Sequence, residues 1–297
     1  MGFMEPVGAG LIIVDKPAGM TSHDVVAKCR RAMHTRRVGH AGTLDPMATG
    51  VLIIGVERAT KLMGHLALTT KAYTATVRLG AATTTDDAEG AVISGASAAA
   101  VSEDAVRAGI AALTGDIQQR PSSVSAIKVD GRRAHQLVRE GAEVDLPARP
   151  VTVSAFDALA FRRTGGYLDV DVAVECSSGT YVRALARDLG AGLGVGGHLT
   201  ALRRTRVGPY DLTHAVTLDD LAEDPHLSYG IDEAVRAGFA RRDITAEQAV
   251  DLSLGRWLDP IGLPGVYAAI DPEGRAIALL EESGRRAASV FVVRPAA

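Results

Sequence analysis

The stretch Gly39-His40-Ala41-Gly42-Thr43-Leu44-Asp45-Pro46-Met47-Ala48-Thr49-Gly50 runs directly into the apolar residues Val51-Leu52-Ile53-Ile54. A short apolar run behind a cluster of turn residues reads as a buried strand. The segment before it holds three glycines and one proline, so positive φ angles and a close backbone approach to a ligand come easily there. The chain therefore presents one carboxylate, Asp45, on a tight loop beside a buried strand. Asp-Pro is also an ordinary turn sequence, and the loop alone leaves both readings open.

The chain has 297 residues, of which 47% are hydrophobic and 23% charged. That is enough for two domains with real cores. No apolar run reaches membrane-spanning length, and the first residues lack the basic-then-apolar order of a secretory leader. The two cysteines, Cys29 and Cys176, do not make a disulfide framework and suit a reducing compartment. These features predict a cytoplasmic protein. Net charge is -3, which by itself points away from nucleic acid. The charges are nevertheless clustered: Lys28, Arg30, Arg31, Arg36 and Arg37; Arg132, Arg133 and Arg139; and Arg203, Arg204 and Arg206. Such patches fit either a polyanion or a solvated surface.

Leu11–Val14 predicts a buried strand stopped by Asp15-Lys16-Pro17-Ala18-Gly19. Thr21 and Asp24 form a capping-box pattern, behind which Val25, Val26, Cys29 and Met33 share one helical face. A strand over 51–56 and a helix over about 57–68 follow. Tyr73, Ala75, Val77 and Leu79 alternate with more polar residues, the period of a half-buried strand. The acidic segment Asp86-Asp87-Ala88-Glu89 reads as a turn between strands. Ser102 caps a helix to about Leu113, and residues 120–150 are expected to project as a hairpin and helix. Two paired strands meet at Gly165-Gly166, and a helix opens near Thr180 with Tyr181 and Arg183 in its first residues. A second capping box, Thr245 and Gln248, precedes a small β-rich module whose strands turn at Asp271-Pro272-Glu273-Gly274.

Several motif matches fail on context. Gly192-Leu193-Gly194-Val195-Gly196-Gly197 has dinucleotide spacing but follows a helix instead of a strand. Ser125-Ala126-Ile127-Lys128 lacks the partner motifs of the S-x-x-K hydrolases. The histidines and cysteines show no metal-ligand spacing. What remains is Asp45, Tyr73, Tyr181, Arg183, His40 and Lys16.

In this order, Asp15-Lys16-Pro17-Ala18-Gly19-Met20-Thr21-Ser22, Gly39 to Leu52, Lys71-Ala72-Tyr73 through Leu79-Gly80, Ser178-Gly179-Thr180-Tyr181-Val182-Arg183 and Leu202 through Gly208 closely resemble the bacterial tRNA pseudouridine-55 synthases of the TruB family. The likeness covers residues from about 11 to 210, and the G-T-L-D-P-x-A-T-G segment is its most specific part. The tail after about 240 resembles, by position and β-rich pattern, that family's C-terminal RNA-binding module.

The resemblance implies isomerisation of a uridine to pseudouridine at position 55 in the T loop of tRNA, with the target base flipped out and no cofactor. Asp45 matches the catalytic aspartate and Arg183 the arginine that pairs with it. Tyr73 matches the tyrosine that stacks on the base and can move a proton. Tyr181 and Leu202 match pocket positions, and His40 the residue that takes the base's place in the RNA stack. Lys16 supports the active-site loop, and Arg204 belongs to a basic cluster expected to hold RNA phosphates. Two departures fall in the 120–150 segment, where Val124 and His135 stand at positions usually aromatic in the family. The fold expected is α/β (α+β), a mixed, largely antiparallel sheet spanning a catalytic domain at 1–235, with a small β-barrel-like, PUA-like RNA-binding domain at 240–297. The partner expected is the tRNA T arm, met by a monomer without membrane or obligate protein partner. A pseudouridine synthase for another RNA and a tRNA-binding or folding chaperone remain the alternatives; a pure binder has no need of Asp45, Tyr73 and Arg183 together.

Overall fold

The computed structural model describes residues 8–123, 128–129, 132–133 and 146–296. Most of the segment expected to project at 120–150, with Val124, His135 and Arg139, lies outside the described residues. Within it, Lys128–Val129 pairs antiparallel with Arg132–Arg133. The chain divides into two compact units, one of residues 1–46, 50–68 and 207–297, the other of 47–49 and 69–206.

In the first unit, β1 (Gly10–Lys16) lies antiparallel to β3 (Thr49–Val56), with Gly10 opposite Val56 and Lys16 opposite Gly50. Leu11, Ile12, Ile13 and Val14 are all fully buried. The apolar run without alternation therefore marks a strand covered on both faces. Between these strands come α1 (Ser22–Ala32), opened by the expected Thr21–Asp24 capping box, and β2 (Val38–Ala41), which pairs with β3. Two hydrogen bonds from Thr21 hold the Asp24 carboxyl below its ordinary pKa. The helix expected over 57–68 is instead a 3₁₀ segment, Glu57–Leu62, followed by one α-helical turn, Met63–Leu66. Val56 offers no side-chain cap, and Glu57 sits at a φ of 51°, so no regular α-helical start forms there.

The second unit begins with β4 (Lys71–Leu79), where Tyr73, Ala75, Val77 and Leu79 point inward as the alternation predicts. After α2 (Glu103–Ala112), capped by Ser102, come β5 (Gly115–Gln119), the long hairpin of β6 (Arg149–Thr164) and β7 (Tyr167–Cys176), α3 (Val182–Gly192) and β8 (Gly197–Val207). Strand order is β8-β4-β7-β6-β5, and β4–β7, β7–β6 and β6–β5 are antiparallel. Tyr73 stands opposite Val174.

The remainder of the first unit holds α4 (Ile231–Gly238), β9 (Ala240–Asp243), α5 (Ala246–Ser253) and the strands β10 (Val266–Ile270), β11 (Ala276–Ser283) and β12 (Arg286–Val292). These strands form an open sheet of order β9-β10-β11-β12, with β9 parallel to β10 and the other pairs antiparallel. The expected closure into a barrel is not present among the described residues; β9 and β12 are the sheet's two edges. Both faces are already used. Ala268, Ile270, Ala276 and Phe291 join a core with Leu11, Ile13 and Val51. Tyr267, Ala269 and Ile277 pack on the other face with Ala249 and Leu252 of α5. A sheet buried by helices and strands on each side has no need to curl on itself.

Candidate active site

The Asp45 loop is held on both sides of the carboxylate. Ser22, the first residue of α1, is buried; its Oγ donates to the Leu44 carbonyl (3.1 Å) and accepts from the Leu44 N–H (2.9 Å). On the other side, the Pro46 carbonyl accepts from Gly19 N–H (2.8 Å) and from Lys16 Nζ (3.2 Å), which also donates to the Pro17 carbonyl (2.8 Å). Lys16 is fully buried. Its ammonium meets two carbonyls, a sensible arrangement for a charge removed from water. Gly42, at a φ of 73°, supplies the left-handed turn in front of Leu44. Asp45 is half-buried between these anchors. His40 lies on β2 opposite Ile54, its ring edge-to-face with His23 of α1 at 5.5 Å.

In the second unit Tyr73 is buried on β4. Leu202 and Arg204 occupy alternate, inward positions of the neighbouring strand β8. Arg204 is among the largest fully buried side chains, so in this conformation it faces the interior. Burial, with repulsion from Arg204 added, pulls the Lys71 ammonium down to about 8. Tyr181 caps α3 with its backbone, which exchanges two hydrogen bonds with the buried Gln119 amide: Tyr181 N–H donates to Oε1 (2.8 Å) and Gln119 Nε2 donates to the Tyr181 carbonyl (3.1 Å). Arg183, the second residue of α3, donates from Nη1 to the Thr85 carbonyl (2.7 Å) and lies 3.4 Å from Asp87 Oδ2.

The described residues thus gather Lys16 and the Asp45 loop in one unit, and Tyr73, Tyr181, Arg183, Leu202 and Arg204 on β4, α3 and β8 of the other. The basic residues Lys28, Arg30, Arg31, Arg36 and Arg37, on α1 and the turn after it, are all exposed. Among the described residues no three His, Cys, Asp or Glu side chains converge as metal ligands, and no helix is long and apolar enough to cross a membrane.

A sequence model described as TruB family pseudouridylate synthase, N-terminal domain, matches residues 30–182, just over half of the chain. The chain belongs to the TruB family of pseudouridylate synthases. Two further models match C-terminal to it: a tRNA pseudouridylate synthase B C-terminal domain over residues 183–237, and a tRNA pseudouridine synthase II C-terminal domain over 239–294. The chain is 68% identical over 291 residues to a protein of Rhodococcus jostii named tRNA pseudouridine synthase B, covering 98% of this chain and 95% of that one. It is 66% identical over 292 residues to the protein of the same name from Nocardia farcinica, with the same coverage. Among solved structures it resembles a chain in a crystal structure of a Cbf5-Nop10-Gar1 complex, with a TM-score of 0.75, 26% identity, and coverage of 98% of this chain and 86% of that chain.

The TruB-type α3 also has partners that motif reading missed. The acidic segment Asp86-Asp87-Ala88-Glu89 reads as a turn between strands, and it does join two, Ala82–Thr83 and Val92–Ser94. Yet both aspartates are buried. Asp87 faces Arg183, while Asp86 Oδ2 accepts from Ser122 Oγ (2.7 Å) and from Arg187 Nη1 (3.2 Å). Arg183 and Arg187 are four apart on one helix face, so adjacent carboxylates meet adjacent arginines. Spacing is the available signal: two Arg at i and i+4 on a helix whose other buried residues are Val182, Ala184, Leu185, Ala186, Leu189 and Gly190.

Proposed function

We propose that this TruB-family chain isomerises the uridine at position 55 in the T loop of tRNA to pseudouridine, with Asp45 as the nucleophile and without a cofactor. The observation that carries this reading is the doubly anchored loop around Asp45, in a chain whose curated relatives bear the name tRNA pseudouridine synthase B. A preorganised carboxylate suits a reaction in which a nucleophile must meet one flipped nucleotide in one geometry.

In this reading the N1–C1′ bond breaks, the ring turns, and C5 joins C1′; the hydrogen leaves C5 and N1 gains one, so no redox partner or group donor is consumed. The Asp45 carboxylate provides the covalent hold on the nucleotide. Arg183 keeps that carboxylate charged and oriented. Tyr73 stacks on the base and moves the proton; Tyr181 and Leu202 wall the pocket; His40 fills the gap left in the RNA stack. Residues 1–235 carry the reaction and 240–297 act as a PUA-like RNA-binding module, in a cytoplasmic monomer that takes the tRNA T arm.

The test is tritium release from a T-arm stem-loop carrying C5-labelled uridine at position 55. The wild type should release tritium, whereas Asp45→Asn should release none and still bind RNA within about tenfold, because phosphate contacts set most of the affinity. Turnover by Asp45→Asn at the wild-type rate would sink the nucleophile assignment.

A further inference from the structure

At the far end of β3 from the Asp45 loop, the first unit contains a cavity of about 500 Å³ that the reaction above does not use. Gly50 and Val56 are six positions apart on an extended strand, so the cavity mouth lies roughly 20 Å along the strand from the Asp45 loop. Its lining includes Arg37, Glu57, Arg58, Lys61, Ser289 and Phe291. Three cations face one carboxylate. Glu57 is already engaged: Oε2 lies 3.6 Å from Arg37, and Oε1 accepts from Thr35.

Three features show that the lining is built, beyond being a gap between elements. Glu57 holds a φ of 51°, an uncommon and strained conformation for a residue with a side chain, and such backbone is concentrated at functional sites. The β11–β12 ladder shifts register between Leu279–Phe291 and Leu280–Ser289, leaving Val290 as the extra residue of a bulge, a device that re-aims neighbouring side chains. The Ser289 hydroxyl oxygen is buried and has no hydrogen-bond partner among the described residues, an arrangement that costs free energy unless something fills it. Arg58 closes the floor, lying over the Phe291 ring at 5.6 Å, with Nε donating to the Val293 carbonyl (2.9 Å) and Nη2 to the Val292 carbonyl (2.5 Å). Its Nη1 makes no hydrogen bond among the described residues, and neither does the exposed Lys61 ammonium.

We propose that this cavity is a phosphate-binding site in which Arg37, Arg58 and Lys61 supply charge and Ser289 a hydroxyl donor. A guanidinium fork, a mobile ammonium and a hydroxyl are the groups that suit a tetrahedral oxyanion. Two sources carry that chemistry: a backbone phosphate of RNA reaching past the catalytic loop, and a free phosphate or mononucleotide. The RNA source rests on the function proposed above; the free source does not.

The experiment uses the full chain and the variant Lys61→Ala, with Ser289→Ala as a second, uncharged change. Binding of full-length tRNA is measured across a salt series, and thermal unfolding is followed with 50 mM inorganic phosphate or uridine monophosphate against chloride of equal ionic strength. One lost phosphate contact should lower the slope of log affinity on log salt by roughly 0.7–0.9, with an affinity loss of about three- to tenfold for Lys61→Ala. That result supports the RNA source. An unchanged slope, together with phosphate stabilisation seen in the wild type and lost in both variants, supports the free source. Unchanged slope and no phosphate-dependent stabilisation would overturn the site. Absence of tritium release by the wild type, with the slope change intact, would overturn the proposed function and leave the site standing.

Discussion

Arg183 and Asp87 face each other inside the second unit, Nη1 3.4 Å from Oδ2, with side chains only 4% and 3% exposed. Two charges removed from water hold each other in place, and removing one partner of such a pair typically costs about 3–5 kcal/mol. Asp87→Ala should therefore lower stability by about that much. Because Arg183 loses the group that aims it, turnover should fall at least tenfold while RNA affinity changes little. Denaturant unfolding and single-turnover tritium release measure the two effects. Arg187→Gln, whose side chain is 25% exposed in its pair with Asp86, should cost far less in both.

Ser22 satisfies both backbone groups of Leu44. Ser22→Ala leaves a buried N–H and C=O without that partner, at a cost of about 2 kcal/mol, and releases one anchor of the Asp45 loop. The expected signature is a lower kcat with little change in KM, since a loosened loop would misplace the carboxylate proposed as nucleophile while leaving the proposed RNA contacts in place. A change confined to KM would show that the anchor serves binding.

Lys71 gives the protein a distinct pH dependence. Its pKa is about 8 in the folded chain, against about 10.4 when unfolded. Between those values the unfolded chain holds a proton that the folded chain has released, so stability from this group rises with pH from about 8 to 10. Below pH 8 both states are protonated and the contribution is flat. The rise is of order 3 kcal/mol. Lys71→Met removes the group, so the wild-type minus variant difference in unfolding free energy should climb over that window. A flat difference would place the ammonium in a wetter setting.

Truncation after residue 239 should do more than weaken RNA binding. Ala268, Ile270, Ala276 and Phe291 share a core with Leu11, Ile13 and Val51, and Arg58 donates to the last strand. Removing these residues strips apolar cover from β1 and β3. The truncated chain should lose cooperative thermal unfolding and protease resistance; a stable, fully folded fragment would show that the C-terminal sheet is dispensable for that core.

Much of the local architecture is legible in the sequence. The period-two pattern from Tyr73 to Leu79, the unalternating run Leu11–Val14, and the Thr21–Asp24 and Thr245–Gln248 capping boxes each set one element through contacts a few residues apart. The loop around Asp45 was legible for the same reason: glycine and proline restrict or permit backbone angles locally. The 57–68 segment departs from a regular helix because Glu57 sits at positive φ, held there by Arg37 at its backbone and by Thr35 and Arg37 at its carboxylate.

What the chain determined by itself was the elements set by local pattern, such as the strands at Leu11–Val14 and Tyr73–Leu79 and the two helices opened by capping boxes. Only the tertiary structure decided that Asp86 and Asp87 are buried partners of arginines about a hundred residues later, that Gln119 clasps the start of α3, and that the C-terminal sheet is open. Each of these depends on which surfaces meet. Burial and pairing of a charge are settled by groups distant in sequence, and local propensity carries no record of them.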